Sequence, residues 1–381
     1  VVAMISWRFE KKYLKNIDFW LIASMVIIGI FGTIMIYSTS HNLVPGRPEY
    51  YMVRHLLAVF LGLILFVFSS FFDYHLWEKS SKFLYIVMLF MLTIVLFIGR
   101  EGDYGGQSWI PLGPLSLQPV EPAKIMLIIS LAAYMSKEKH QRTLLQLIPT
   151  LAMTALPLGL VLLQPDLGSG LVFLAILLGM FYLGGLALRY LLSLVGIGLA
   201  AFPFLWSRME EYQKIRILIF TNLERYKNDP AYSKYTWQLL QSIIAIGSGR
   251  IKGKGLTLGT QTQLEFVPES HSDMIFSALA EELGFIGSAF IIIVYLYMIY
   301  RVFRIAQRSP DRFGRLVCAG VGTMLLFHLT INVGMTLGIM PVIGIPWPML
   351  SYGSSNLMIT LWGLGLVNSV AMRSQKTMFS N

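Results

Sequence analysis

The sequence predicts an all-α polytopic membrane protein of about ten transmembrane helices, with a long extracellular loop between the seventh and the eighth. Three observations predict it. Hydrophobic residues make up 55% of the 381 and charged residues 13%, where ordinary soluble domains carry about 25% charged residues; mean hydropathy is +0.64. Apolar runs of roughly the 20 residues that a span requires recur along the whole chain. Lys and Arg gather in alternate connections, as the positive-inside rule requires.

The spans fall near 19–38, 54–72, 83–99, 121–136, 147–163, 168–185, 190–206, 273–300, 314–338 and 354–372. The first is long enough to span and is expected to remain as a helix rather than to be a cleavable signal. Basic residues mark the N-terminal segment (Arg8, Lys11, Lys12, Lys15), the turns with Lys79 and Lys82, with Lys137, Lys139 and Arg142, and with Arg189, the segment Arg301 to Arg315, and the tail with Arg373 and Lys376. Both termini are therefore expected in the cytoplasm. The net charge of +10 reads as basic loops held at an anionic leaflet, membrane lipids being the partner and not nucleic acid. The single cysteine, Cys318, excludes internal disulfides and reads as a small buried hydrophobe.

Four connections fall outside on this topology. They are 100–120, with Gly105, Gly106, Trp109 and Pro114; the turn Gln164 to Gly168; the segment 207–272; and 339–353. Within the long segment, Tyr235 to Ile246 places Trp237, Leu240 and Ile244 on one helical face, an interfacial helix. The whole chain reads as one membrane domain.

Ionisable groups in spans are functional candidates by default. Glu121 and Lys124 open the fourth span at i,i+3 spacing, which puts them on one helix face; they are either a neutralising salt bridge or the lining of a polar cavity. Asp166 lies in a tight turn, where aspartate is also a common turn-former. Asp273 sits where the Gly- and Lys-rich stretch 247–272 enters an apolar helix, and reads either as a helix cap or as a functional carboxylate. On helical phase Ser277 shares its face, whereas Glu281 and Glu282 point elsewhere, toward a neighbouring helix or the intracellular side. The six histidines are scattered, without metal-ligand spacing, and His328 reads as a packed or hydrogen-bonded side chain. P-loop and Gly-x-Ser-x-Gly spacings are absent from the sequence. A carboxylate at the rim of an outward cavity, with Arg216, Arg250, Lys252 and Lys254 in the adjoining loop, suits an anionic lipid-linked substrate. On the residues alone a transporter or channel stays equally open.

Several blocks in one order carry a resemblance: QPVEPAK at 118–124, QPDLG at 164–168, YQKIR at 212–216, QSIIAIGSG at 241–249, the stretch 253–284, 332–344, and PMLSYGSS at 348–355. Over nearly its whole length the chain resembles the SEDS family (shape, elongation, division and sporulation), closest to its rod-shape, elongation branch. The resemblance implies a peptidoglycan glycosyltransferase of the bacterial inner membrane that polymerises lipid II at the outer face. It implies a class B penicillin-binding protein transpeptidase as partner. It maps the family's essential aspartate onto Asp273 and its polar cavity onto Glu121, Lys124 and Asp166. The donor is α-linked and the product β-linked, so one inverting displacement is expected, by the logic of inverting glycosidases. Asp273 would be the base; Arg216, Arg250, Lys252 and Lys254 are candidates for the pyrophosphate, with a divalent cation as a possible helper and no dedicated metal site in the sequence. Ser108, Val120 and Ser354 stand where the family usually has Arg, Ser and Gly. The rival readings are a lipid II flippase and a non-enzymatic scaffold. Gly314, Ala319, Gly320 and Gly322 make the ninth span rich in small residues, and it is expected, with the eighth, to form the transpeptidase dock.

Overall fold

The structure is a computed structural model and describes residues 16–101, 107–113, 115–137, 144–226, 229–230 and 232–374. Arg8, Lys11, Lys12, Lys15, Gly105, Gly106, Pro114, Lys139, Arg142 and Lys376 lie outside the described residues. Helices occupy all of the expected spans: α1 (Phe19–Ser40), α2 (Tyr50–Phe71), α4 (Ser81–Ile98), α5 (Val120–Lys137), α6 (Leu144–Leu162), α7 (Leu167–Leu183), α8 (Leu188–Arg208), α13 (Ile275–Arg308), α14 (Arg312–Thr336) and α15 (Ser354–Arg373). Seven of them are long and apolar enough to cross a membrane, and α6 and α7 are shorter apolar helices. Charged Glu121, Lys124 and Lys137 lower the apolar character of α5. The chain is a multi-pass membrane protein. Short helices α3 (Tyr74–Lys79), α9 (Glu211–Thr221), α10 (Leu223–Tyr226), α11 (Ser233–Gly249) and α12 (Thr260–Gln263) fill the connections. The connection at 100–117 holds a small antiparallel sheet, β1 (Arg100–Glu101), β2 (Gln107–Leu112) and β3 (Leu115–Leu117), with Ile110 opposite Leu117.

Burial ranks the helices. The apolar window of α15 is 94% buried and that of α14 is 72% buried, whereas that of α8 is only 6% buried. α15 is thus the centre of the bundle. α8 leaves Leu192, Ile197, Leu199 and Phe204 exposed, a face suited to hydrocarbon rather than water. Gly320 and Gly322 do not face outward as a dock would require. A β-carbon at Gly320 would meet Ile128 at 2.7 Å, and one at Gly322 would meet Phe303 at 2.6 Å. Ala319 is fully buried. These small residues serve the packing of α14 against α5 and α13, so a partner helix cannot reach them.

The two ends of the bundle differ. At one pole Arg301 pairs with Asp18 at 2.5 Å, Arg373 reaches Asp73 at 3.8 Å and the Phe71 carbonyl at 2.9 Å, and Tyr74 donates to Asp311. At the other pole the connection 250–274 packs over the start of α13 and the end of α1.

That packing exists because α13 is broken. Gly284 has φ 65 and ψ −167 within a 34-residue helix, a conformation open to glycine. The backbone at Arg250 to Gly255 inserts into the break. Phe285 N–H donates to the Arg250 carbonyl (2.9 Å), Ile286 N–H to Ile251 (3.1 Å), Lys254 N–H to Glu281 (3.0 Å) and Gly255 N–H to Glu282 (3.0 Å). The Glu281 carboxylate accepts from Lys254 Nζ (2.6 Å), Gln261 N–H (2.9 Å), Thr262 N–H (2.9 Å) and Thr262 Oγ1 (2.6 Å). Glu282 accepts from Ser38 Oγ of α1 (2.5 Å) and Gln263 Nε2 (3.0 Å). The expectation that one of these glutamates pairs with a neighbouring helix holds for Glu282. Both glutamates lie against the connection that precedes their own helix.

Gly253 marks the tightest point. Its φ is +80, and a β-carbon there would stand 2.1 Å from the Glu282 carbonyl oxygen. Gly253→Ala should add about 1–2 kcal/mol of left-handed strain and about 1–3 kcal/mol of overpacking. Gly247 is the control, since a β-carbon there meets nothing within 4 Å. Thermal unfolding in detergent should show a lowered melting temperature for Gly253→Ala and an unchanged or raised one for Gly247→Ala. Equal melting of the two would show that the insertion is not tight.

Candidate active site

Four aspartates do ordinary work at helix starts. Asp18 accepts from Leu21 N–H, Asp73 from His75 N–H, Asp166 from Ser169 N–H and Asp311 from Gly314 N–H. Each satisfies a donor that the first helical turn leaves open. Asp273 does not. The first residue of α13 is Ile275, its N-cap position is Met274, and no side chain caps it. The cap reading of Asp273 therefore falls, and its carboxylate is turned to another use.

Asp273 lies half-buried in the turn before α13. A β-carbon added to Gly344 would stand 3.0 Å from Asp273 Oδ2 and 3.8 Å from Arg216 Nη1, so carboxylate and guanidinium border the same spot. Burial pushes the Asp273 carboxyl up to about 7; the charge of Glu269 adds to the rise, Arg216 opposes it, and Asp166 adds again. Beside it, burial holds the His271 imidazole below its usual value, with Glu269 opposing. A carboxyl poised near neutrality, with a fixed cation facing it, is the arrangement a general base requires.

Arg216 reaches this spot because α9 is pinned. Tyr212 Oη and Gln213 Nε2 both donate to the Pro165 carbonyl, at 2.8 and 3.1 Å. The YQKIR block thereby docks on the QPDLG turn. Arg216 lies over the rings of Tyr212 and Tyr235 and lines a small recess with Gln238, Leu239 and Val342. Asp166, whose charge acts on Asp273, accepts from Gln118 Nε2 at 3.3 Å besides its cap.

Glu121 and Lys124 form the expected ion pair, at 2.8 Å, and both are buried. Asn356 Nδ2 donates to the second Glu121 oxygen at 3.0 Å. His328 Nδ1 lies 2.9 Å from the Pro346 carbonyl. A carbonyl only accepts, so Nδ1 carries the proton and Nε2 accepts from Lys124 Nζ at 3.4 Å. His328 is hydrogen-bonded, as expected. The hydroxyls at the start of α15 hold the neighbouring strand: Ser354 and Ser355 donate to the Ser116 carbonyl at 3.1 and 2.7 Å.

Of the sequence candidates only Arg216 and Asp166 act on the Asp273 carboxyl; Glu121 and Lys124 are paired with each other, and the other four are held elsewhere. Ser277 is fully buried and lies 2.6 Å from Ser242 Oγ; the helix begins only at Ile275, so helical phase does not carry back to Asp273. Lys254 is bound by Glu281. Arg250 and Lys252 are exposed on the inserted backbone beside Gly284 and Phe285. The sequence reading gave no role to Glu269, Asn332 or Gly344, although all three lie within blocks singled out. Among the described residues no group of three or more His, Cys, Asp or Glu is placed to hold a metal ion.

Removing one member of the buried pair strands a charge, a change that typically costs about 3–5 kcal/mol. Lys124→Ala should therefore lower the melting temperature and the activity. The double variant Glu121→Gln/Lys124→Met should recover much of the stability. Wild-type melting and activity of Lys124→Ala would make the pair a bystander.

The comparisons with known proteins agree with this architecture. The FtsW/RodA/SpoVE cell cycle protein family matches residues 18–376. The peptidoglycan glycosyltransferase MrdB of Escherichia coli K12 is 33% identical over 356 residues, covering 93% of each chain. The peptidoglycan glycosyltransferase RodA of Treponema pallidum is 30% identical, over 94% of this chain and 98% of that one. The crystal structure of the Thermus thermophilus rod shape determining protein RodA superposes with a TM-score of 0.70 at 30% identity, over 95% of this chain and 98% of that one. A chain from a peptidoglycan synthase complex, described for its coordination of polymerization and crosslinking, superposes with a TM-score of 0.79 at 29% identity, over 95% of this chain and 99% of that one. With a family match from residue 18 to residue 376 and relatives of this identity and coverage, the chain belongs to the FtsW/RodA/SpoVE family of cell cycle proteins.

Proposed function

We propose that the protein is a peptidoglycan glycosyltransferase that polymerises lipid II on the outer face of the bacterial inner membrane, with Asp273 as its base. The observation that carries the reading is the Asp273 carboxyl, uncommitted to any cap, raised to about 7 and facing Arg216. Asp273 takes the proton of the acceptor sugar's 4-hydroxyl. The freed oxygen forms a bond to the donor's anomeric carbon. The bond from that carbon to the lipid pyrophosphate breaks, and its electron pair leaves with the phosphate oxygen. Attack from the face opposite the leaving group turns an α linkage into a β linkage in one step. Arg216 is the cation best placed to receive the pyrophosphate charge.

On this reading the chain is a single membrane domain with both termini in the cytoplasm, and 207–272 is its extracellular segment. Its partner is a class B penicillin-binding protein transpeptidase. A lipid II flippase would need polar groups offered to cargo through the depth of the bilayer. The in-span groups Glu121, Lys124, His328 and Asn356 are instead bonded to one another, which supports the polymerase.

General-base catalysis contributes typically about 10²- to 10⁴-fold, so Asp273→Asn should lower polymerisation of lipid II by purified protein at least that much while melting and lipid II binding stay near wild type. Full activity of Asp273→Asn would remove it from the mechanism. The base works ionised, so the wild-type rate should fall as pH drops through about 7. Glu269 raises the Asp273 pKa and Arg216 lowers it. The acid limb should therefore move to lower pH in Glu269→Gln and to higher pH in Arg216→Gln; limbs that stay in place would assign the titration to another group.

Topology is tested separately. Single cysteines placed within 207–272, in a Cys318→Ala background, should react on intact cells with a thiol reagent that cannot cross the membrane. Protection there, with labelling at 301–313, would invert the orientation.

A further inference from the structure

One stripe of α14 is polar where its neighbours are apolar. His328, Asn332 and Thr336 recur at every fourth residue and share a face, and all three are essentially without solvent exposure. His328 holds the Pro346 carbonyl (2.9 Å). Asn332 Nδ2 donates to the Ile345 carbonyl at 2.9 Å and to the Asp273 carbonyl at 2.8 Å. Thr336 Oγ1 returns to the Asn332 carbonyl at 3.0 Å, and Ser242 Oγ donates to the Thr336 carbonyl at 2.7 Å. Since carbonyl oxygens only accept, both amide hydrogens of Asn332 must point at them, which fixes how the amide is turned. Its Oδ1 is left buried with no hydrogen-bond partner in the protein. A buried, unpaired acceptor disfavours folding. Leucine, of similar size, would remove that orphaned acceptor but would leave the Asp273 and Ile345 carbonyls without this donor, so what the amide supplies here is the tie between those two segments.

The two carbonyls belong to the two segments that border Asp273. One is the main chain of Asp273 itself. The other is Ile345, next to Gly344, whose φ of +80 and missing side chain leave room for the carboxylate. We propose that Asn332 is a positioning residue for Asp273: its amide ties the Asp273 main chain to that of Ile345 and so holds the carboxylate over Gly344, within reach of Arg216. This rests on the reading of Asp273 as base. The charged and titratable groups around that carboxylate come from every bordering element: Arg216 on α9, Asp166 at the start of α7, and Glu269 and His271 in the turn ahead of it. Releasing the turn changes its distance from each of them.

The test is steady-state polymerisation by purified full-length protein with lipid II, followed across pH, with thermal melting on the same preparations. Asn332→Leu should lower kcat by about 10- to 100-fold, as small misplacements of a reacting group do, with KM little changed and the acid limb displaced from its wild-type position. Asn332→Ser, which is smaller and keeps a donor, should show the same displacement with a milder loss, and carries the test if the leucine variant does not fold. A role in stability alone would lower melting and leave both KM and the limb in place. Wild-type kcat and an unmoved limb in either folded variant, with Asp273→Asn inactive, would overturn the positioning role and leave the base intact. Full activity of Asp273→Asn would overturn the base reading and this inference with it.

Discussion

The Glu281 carboxylate is the interaction on which the half of the molecule that carries Asp273 depends. A helix broken inside a bilayer exposes backbone groups that hydrocarbon cannot satisfy, so the repair must come from the protein. Here the repair is the backbone of Arg250 to Gly255, entering at Gly284. That insertion holds only while its other end is anchored, and the anchor is Glu281, gripping Lys254, Gln261 and Thr262 together. From that fixed point the chain runs on through Gln263, which bonds to Ser38 and Glu282, into the turn that carries Asp273. The break, the loop and the turn that carries Asp273 are thus one unit. A buried carboxylate surrounded by donors is stable as an anion, and here the donors are themselves the loop to be positioned.

The same reasoning separates the acids by employment. Asp18, Asp73, Asp166 and Asp311 complete helix starts. Glu121 is neutralised by Lys124, and Glu281 and Glu282 hold a loop. Asp273 is committed to none of these; its carboxylate borders the same spot as the Arg216 guanidinium, and the charges of Glu269 and Asp166 act on it. Asp166 illustrates the economy of this, since one residue caps α7, receives Gln118 and contributes field at Asp273.

What was legible in the sequence was local. Long apolar runs foretold the helices, and i,i+3 spacing foretold the pairing of Glu121 with Lys124. Regular periodicity failed where the backbone departs from it. A glycine inside an apolar run carries no sign that φ will be positive, so the break at Gly284 was invisible, and phase extrapolated through the start of α13 misplaced Ser277. The small residues of the ninth span were correctly seen as a close-packing surface, but inward and outward faces read alike when both are apolar, and Gly320 and Gly322 turned out to serve α5 and α13. The surroundings of Asp273 join residues far apart in the chain: Tyr212 to Pro165, Asn332 to Asp273 and to Ile345. Such contacts leave no periodic trace. Their residues stood inside recognisable blocks, yet only the fold says which of them touch.

The first and last helices meet at the pole opposite Asp273. Asn16 Nδ2 lies 3.4 Å from the Met372 carbonyl, and Asp18 N–H reaches Asn368 Oδ1 at 3.4 Å. Neighbouring ends are the geometric condition for rejoining a chain and opening it elsewhere. A covalent link between them would turn the bundle into a closed ring of helices, free to be cut at an exposed turn such as 42–49. Order along the chain could then be varied while the contacts between helices are kept. This fold would thereby separate two properties that usually travel together in a membrane protein, the sequence in which spans are inserted and the arrangement in which they finally pack.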